Sequence, residues 1–145
     1  MTWQFPGVMV GLAVAGVVAS APEVGAEILS YKADLKESHE VPPNQSTAAG
    51  SVTLSYDPDE KKLSWKGSHA GLSGPVSAAH FHGPAAFGKH AKNALAIVSG
   101  ALPNEFEGSA LLTDVQADEL MAGRWYVNLH TAAFPAGEIR GQVVK

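Results

Sequence analysis

The sequence predicts an antiparallel all-β fold, a Greek-key-like sandwich or barrel of about eight strands with one short crossover helix. Three observations predict it. Apolar residues recur at every second position from Glu27 onward, the periodicity of a strand with one face buried. The alternating runs are short and are separated by Gly, Pro, Asn and Asp, which end strands and build turns. A single stretch, from Thr113 to Gly123, carries helix start and stop signals instead.

The elements follow in order. Leu29, Tyr31, Ala33 and Leu35 alternate with polar residues before Glu40-Val41-Pro42-Pro43-Asn44 interrupts. Val52, Leu54 and Tyr56 alternate again, Asp57-Pro58-Asp59-Glu60 supplies a turn, and Leu63 and Trp65 open the return strand. Residues 50 to 68 therefore read as a hairpin. Further strands are expected over Val76 to His82, Leu95 to Gly100, Phe106 to Leu112, Trp125 to Thr131 and Glu138 to Val144. In the helical stretch Thr113 is the N-cap, Gln116 stands at the reciprocal capping-box position, Asp114 suits the positive helix end and Gly123 closes the helix. Val115, Leu120 and Met121 are expected to face the sheet.

A chain of 145 residues suits one domain with a real core, and 46% apolar content is ordinary globular composition. A formal charge of −4 with no Lys/Arg cluster excludes the electrostatic footprint of a nucleic-acid binder. Val8 to Ala19 is an unbroken run of small and aliphatic residues. A membrane span needs about 20 apolar residues, so this run has the length of a secretory core instead. Val24 and Ala26 are small enough for signal peptidase, which places a signal peptide at 1–26, a mature domain at 27–145 and the protein in the periplasm or outside the cell. The stretch Met1 to Gly7 has no Lys or Arg, which leaves an uncleaved anchor as the alternative. There is no cysteine, so disulfides and thiolate ligands are both excluded. A metal site here has to use imidazole, carboxylate or carbonyl groups.

Six histidines occur, at positions 39, 69, 80, 82, 90 and 130. His80 and His82 occupy alternate positions of one strand, so both rings leave the same face, about 6.6 Å apart along it. Val76 and Ala78 are expected on that face too, and their small size leaves space before the rings. Two such histidines alone are a weak motif, with paired surface or hydrogen-bonded residues as the alternative. His130 changes this. It ends a strand with Tyr126 and Asn128 on its own face and Val127 and Leu129 toward the core, so a neighbouring strand can bring a third imidazole to the pair. His90, beyond the Gly83 to Gly88 loop, is the candidate fourth ligand, with a solvent-exposed loop position between Lys89 and Lys92 as the alternative. His39 and His69 sit beside turn signals and are expected at the surface.

Glu40-Val41-Pro42-Pro43, Ala79-His80-Phe81-His82-Gly83-Pro84-Ala85, Tyr126-Val127-Asn128-Leu129-His130-Thr131 and Pro135-Ala136-Gly137-Glu138-Ile139-Arg140-Gly141-Gln142 resemble, in order, the signature blocks of the CHRD (chordin) domain. The resemblance runs from about Leu29 to Val144. It implies an extracellular or exported protein. In animals such domains occur in an antagonist of bone morphogenetic proteins, and in bacteria they stand alone in exported proteins. The family's blocks carry over to His80, His82, His130, Glu138 and Arg140. His90 falls where the family has a small or polar loop residue.

The order His80, His82, His90, His130, Arg140 is also similar, as an analogy of site only, to the copper site of copper-zinc superoxide dismutases. The cysteine pair and the zinc ligands of those enzymes have no counterpart here. All-imidazole ligation suits Cu(II), Zn(II) or Ni(II), and divalent affinity order favours one copper ion, with zinc second. Three readings stay open. The first is a copper protein that dismutes superoxide, with Arg140 as the catalytic group steering the anion. The second is an exported copper store or carrier with no catalysis. The third is a metal-free interaction module. Against the first, Arg140 can instead pair with Glu138 on its own strand face or with a turn carbonyl. A hydrolytic zinc enzyme fits poorly, because no His-Glu-x-x-His helix and no clear general base accompany the histidines.

Overall fold

The computed structural model describes residues 1–3, 16–99 and 101–145. Eight antiparallel strands form one sheet that curls into a nearly closed barrel. They are β1 (Leu29–Lys36), β2 (Ala49–Asp57), β3 (Lys62–Ala70), β4 (Val76–His82), β5 (Asn93–Ser99), β6 (Glu105–Leu111), β7 (Tyr126–Thr131) and β8 (Ile139–Gln142). Their order across the sheet is β5-β4-β7-β8-β1-β2-β3-β6. A 3-10 turn (Glu37–His39) follows β1, and the one α-helix, α1 (Asp114–Met121), joins β6 to β7.

The period-two pattern builds the core as expected. Tyr31, Ala33 and Leu35 of β1, Val52, Leu54 and Tyr56 of β2, and Leu63 and Trp65 of β3 all point into one apolar cluster. Ala79 and Phe81 of β4, Val127 and Leu129 of β7, and Ile139 of β8 complete it from the other half of the sheet. The hairpin is in continuous register from Ala49↔Ala70 to Asp57↔Lys62. Gly67 permits one close contact in it, because a Cβ there would lie 2.8 Å from Cε1 of Phe106, whose ring covers that backbone.

The structure departs from the sequence expectation in one strand position, in the helix and in the length of β8. Val76, expected beside the histidines, is buried in the core cluster. A register shift between Val76 and Ala78 opposite β7 adds one residue and flips the side on which Val76 emerges. In α1, Thr113 and Gln116 form the reciprocal capping box, and Gly123 takes the positive φ that follows the helix. Ala117 and Leu120 are its buried residues, whereas Val115 and Met121 are exposed. Val115 lies two positions from Ala117, on the opposite side of the turn, and Met121 is the last helical residue. β8 is shorter than expected, and Val144 adds only an isolated bridge to Lys32.

Among the described residues no helix is long and apolar enough to cross a membrane. Most of the apolar run expected as a secretory core lies outside the described residues, and Gly16 to Ala26 is exposed.

Candidate metal centre

The outer face of β4, β7 and β8 carries a second, polar interior. Strand register places it. His80 opposes Asn128, which in turn opposes Arg140. One step along, His82 opposes Tyr126, which opposes Gln142. His130 opposes Ala78, which sets it diagonal to His80 across the pair. Diagonal neighbours of this kind lie within reach of ring side chains. The rings of His80 and His130 are 5.5 Å apart between centroids, those of His80 and His82 5.6 Å, and those of His82 and His130 6.1 Å. One nitrogen from each of the three falls within 4.8 Å of the others.

Loop carbonyls fix which nitrogens face inward. Nδ1 of His82 donates to the Ala91 carbonyl at 3.1 Å, and Nδ1 of His130 donates to the Pro135 carbonyl at 3.0 Å. A carbonyl oxygen only accepts, so each Nδ1 carries the proton and each Nε2 keeps its lone pair. Those two Nε2 atoms and Nδ1 of His80 are buried without a hydrogen-bond partner among the described residues. Buried polar atoms are almost always satisfied, so an unpartnered nitrogen on each of three adjacent rings marks a candidate donor set. Burial lowers the His82 imidazole to about 4, partly offset by its bond to Ala91. Burial, then the neighbouring His130, also lowers His80. Both rings therefore stay neutral, the form that binds a metal. A neutral all-nitrogen triad with no thiolate fits a borderline ion such as copper, zinc or nickel.

The wall around the triad comes from β7 and β8. The Tyr126 ring stacks on His82 at 4.8 Å with only 4° between planes, and the Arg140 guanidinium lies 3.5 Å from the centre of the same ring. Segment 83–92 crosses above as a strap held by its carbonyls. Ala85 accepts from Gln142, Lys89 from Arg140 and Ala91 from His82. Arg140 thus bonds a turn carbonyl, one of the two alternatives to a free steering role. Its other alternative partner, Glu138, is engaged elsewhere: its carboxylate accepts from Thr131 at 2.6 Å, from Ser46 at 2.7 Å, and from the Ser73 amide and hydroxyl at 2.9 and 2.8 Å. Burial pushes that carboxyl up, but these bonds hold it below the ordinary range.

The structure therefore brings together His80, His82 and His130, with Arg140 beside them. His90 does not join the triad. It is exposed on the strap, whose flanking carbonyls at 89 and 91 are turned inward. His69, expected at the surface, is buried near Phe106, because it continues the inward face of β3 from Leu63 and Trp65. His39 is half-buried, its ring edge-on to Phe87 of the strap.

Glu40 is the residue that sequence reasoning missed. It is 6% exposed and lies among Asn128, Gly137 and Arg140. Burial raises its carboxyl to about 7 against the opposing pull of Arg140 and Asn128. Its position in the Glu-Val-Pro-Pro turn carries no strand parity, so periodicity has no means of placing it.

No curated protein and no solved structure matches the chain. The family model of the CHRD domain matches residues 31–143, a span that holds all eight strands apart from the first two residues of β1 and includes every residue of the triad. The chain belongs to the CHRD domain family.

Proposed function

We propose that this protein is an exported copper protein that holds one ion on His80, His82 and His130 and dismutes superoxide there. The observation that carries the reading is that three imidazoles from two strands each bring one nitrogen within 4.8 Å of the others, and that each ring has one buried nitrogen without a hydrogen-bond partner. Copper stands highest in the divalent affinity order for such ligands. It also cycles between two oxidation states by one electron, which zinc does not, and that is the chemistry the ion supplies when bound. The chain's residues do the rest. His82 and His130 are locked in one tautomer by loop carbonyls, the second-shell arrangement that orients metal-ligating histidines. His80 and His130 are only half-buried, which leaves the triad a side open to a small anion. Arg140 adds a permanent positive charge in a low-dielectric wall, where its field on an approaching anion is least screened.

A second reading is favoured by one specific observation. Arg140 is 2% exposed, bonds the Lys89 carbonyl and rests on Tyr126, so it is already engaged as a structural cation. A copper store or carrier needs the triad but no accessible guanidinium. Superoxide decay measured on the copper-loaded protein separates the two. Dismutation well above that of the same copper in buffer, slowed in Arg140→Ala at unchanged copper content, supports the enzyme. Stoichiometric copper with no such activity leaves the store. Export is tested on the secreted fraction, where the mature chain is expected to begin at Glu27.

A further inference from the structure

The reaction proposed above consumes protons, and the neutral rings of the triad are poor sources: the N–H that His80 keeps belongs to a neutral imidazole, a very weak acid. Two superoxide anions and two protons yield one O2 and one H2O2, a one-electron exchange between the two anions that a bound copper ion would supply. His82 and His130 have their only N–H groups committed to the Ala91 and Pro135 carbonyls. Arg140 is permanently cationic and donates to Lys89. Glu138 is a carboxylate saturated by Ser46, Ser73 and Thr131.

Among the described residues one further carboxyl lies on this face. The row His80–Asn128–Arg140 crosses β4, β7 and β8, and Glu40 lies against its middle residue. Gly137 brings them together. A Cβ there would stand 2.6 Å from both Oε1 of Glu40 and Nδ2 of Asn128, so only glycine lets the turn pass this close to the two side chains. Its φ of +129° is also one that glycine alone adopts readily. Oε1 of Glu40, Oδ1 of Asn128 and Nη1 of Arg140 are each buried without a partner among the described residues. A carboxyl, an amide oxygen and a guanidinium nitrogen, all with unused hydrogen-bonding capacity, therefore flank the position beside His80.

We propose that Glu40 is the proton relay of this site, handing a proton by way of the Asn128–Arg140 position to the reduced dioxygen species and recovering it from solvent. The inference rests on the dismutase reading above. In the step an O–H bond of the Glu40 carboxyl breaks, an O–H bond to dioxygen forms, and a solvent proton restores the acid. The nearby Arg140 charge stabilises the carboxylate left behind. The other groups facing Glu40 suit the role. Arg140 is the cation opposite it from β8 and Asn128 the neutral amide from β7, while its own turn carries Glu37 and the half-buried His39. A carboxyl raised to about 7 is half protonated at neutral pH, the condition in which an acid both gives and regains a proton readily.

The test compares copper-loaded wild type, Glu40→Gln and Glu40→Asp for copper content, melting temperature and superoxide decay from pH 5 to 9. Glu40→Gln is expected to keep its copper and fold but to lose rate, on the order of 10²-fold, together with the pH break near neutrality. Small weak acids in the buffer are expected to restore part of that rate, and Glu40→Asp to retain part of it. Full rate in Glu40→Gln, or a loss that weak acids leave unmoved, overturns the relay while the dismutase reading stands. A wild type without activity overturns both. A second readout needs neither copper nor turnover. In metal-free wild type labelled with 13C-glutamate, one buried carboxyl is expected to titrate near neutrality and to respond to Arg140→Lys. If every glutamate titrates in the ordinary range, the relay is wrong even where Glu40→Gln fails to fold.

Discussion

Two buried titratable residues of the site act on stability in opposite directions. His82 is held at about 4 when folded, against about 6.5 when unfolded. Its contribution is present above pH 6.5 and is lost as pH falls toward 4, because the unfolded chain takes up the proton first. Glu40 is raised to about 7 from an ordinary 4.5. Its contribution is present below pH 4.5 and is lost as pH rises through 7. Between about pH 4.5 and 6.5 the two slopes nearly cancel, so as far as these two groups decide it the metal-free protein is expected to keep a nearly constant stability there. Glu40→Gln removes one slope. Relative to wild type it is expected to gain stability between pH 5 and pH 8, up to about 3 kcal/mol by linkage. Thermal melts of the two metal-free proteins across that range check this, and a difference independent of pH would contradict the assigned Glu40 environment.

At the scale of elements, the barrel separates its apolar core from its polar face by strand parity. β4 and β7 each serve both, with Phe81, Val127 and Leu129 turned inward and His80, His82, Asn128 and His130 turned outward. This much was legible in the sequence, because a period of two needs no long-range information. The bulge at Val76, the inward path of β3 as far as His69, and the outward face of Val115 were not. Each depends on a pairing partner or on how far a strand continues. Where two elements touch, the consequence is sharp. Gly67 lies under Phe106, on the part of the sheet formed by β2, β3 and β6 rather than by β4, β7 and β8. Gly67→Ala is expected to cost about 1–3 kcal/mol through overpacking. Copper content should be unchanged, because this pairing shares no strand with the triad. Chemical denaturation and metal analysis of the one variant check both halves.

Over the whole molecule, the site is assembled from chain segments that lie far apart in sequence and are joined only by folding. The triad needs β4 beside β7, its tautomers need the strap at Ala91 and the turn at Pro135, and its acidic neighbour comes from the turn after β1. The residue types of the triad could be picked out from His80-x-His82 and the outward parity of His130. Glu40 and the inward strap carbonyls could not, because irregular segments have no periodicity from which to infer direction. The triad is the part on which the account depends. Electron paramagnetic resonance of the protein loaded with one equivalent of Cu(II), compared with His80→Ala and His130→Ala, tests it most directly. The account predicts one ion per chain, nitrogen hyperfine coupling from three imidazoles in the wild type and from fewer in each variant, with weaker retention. Copper bound with the same spectrum after removal of either ring, or no specific copper at all, would contradict it.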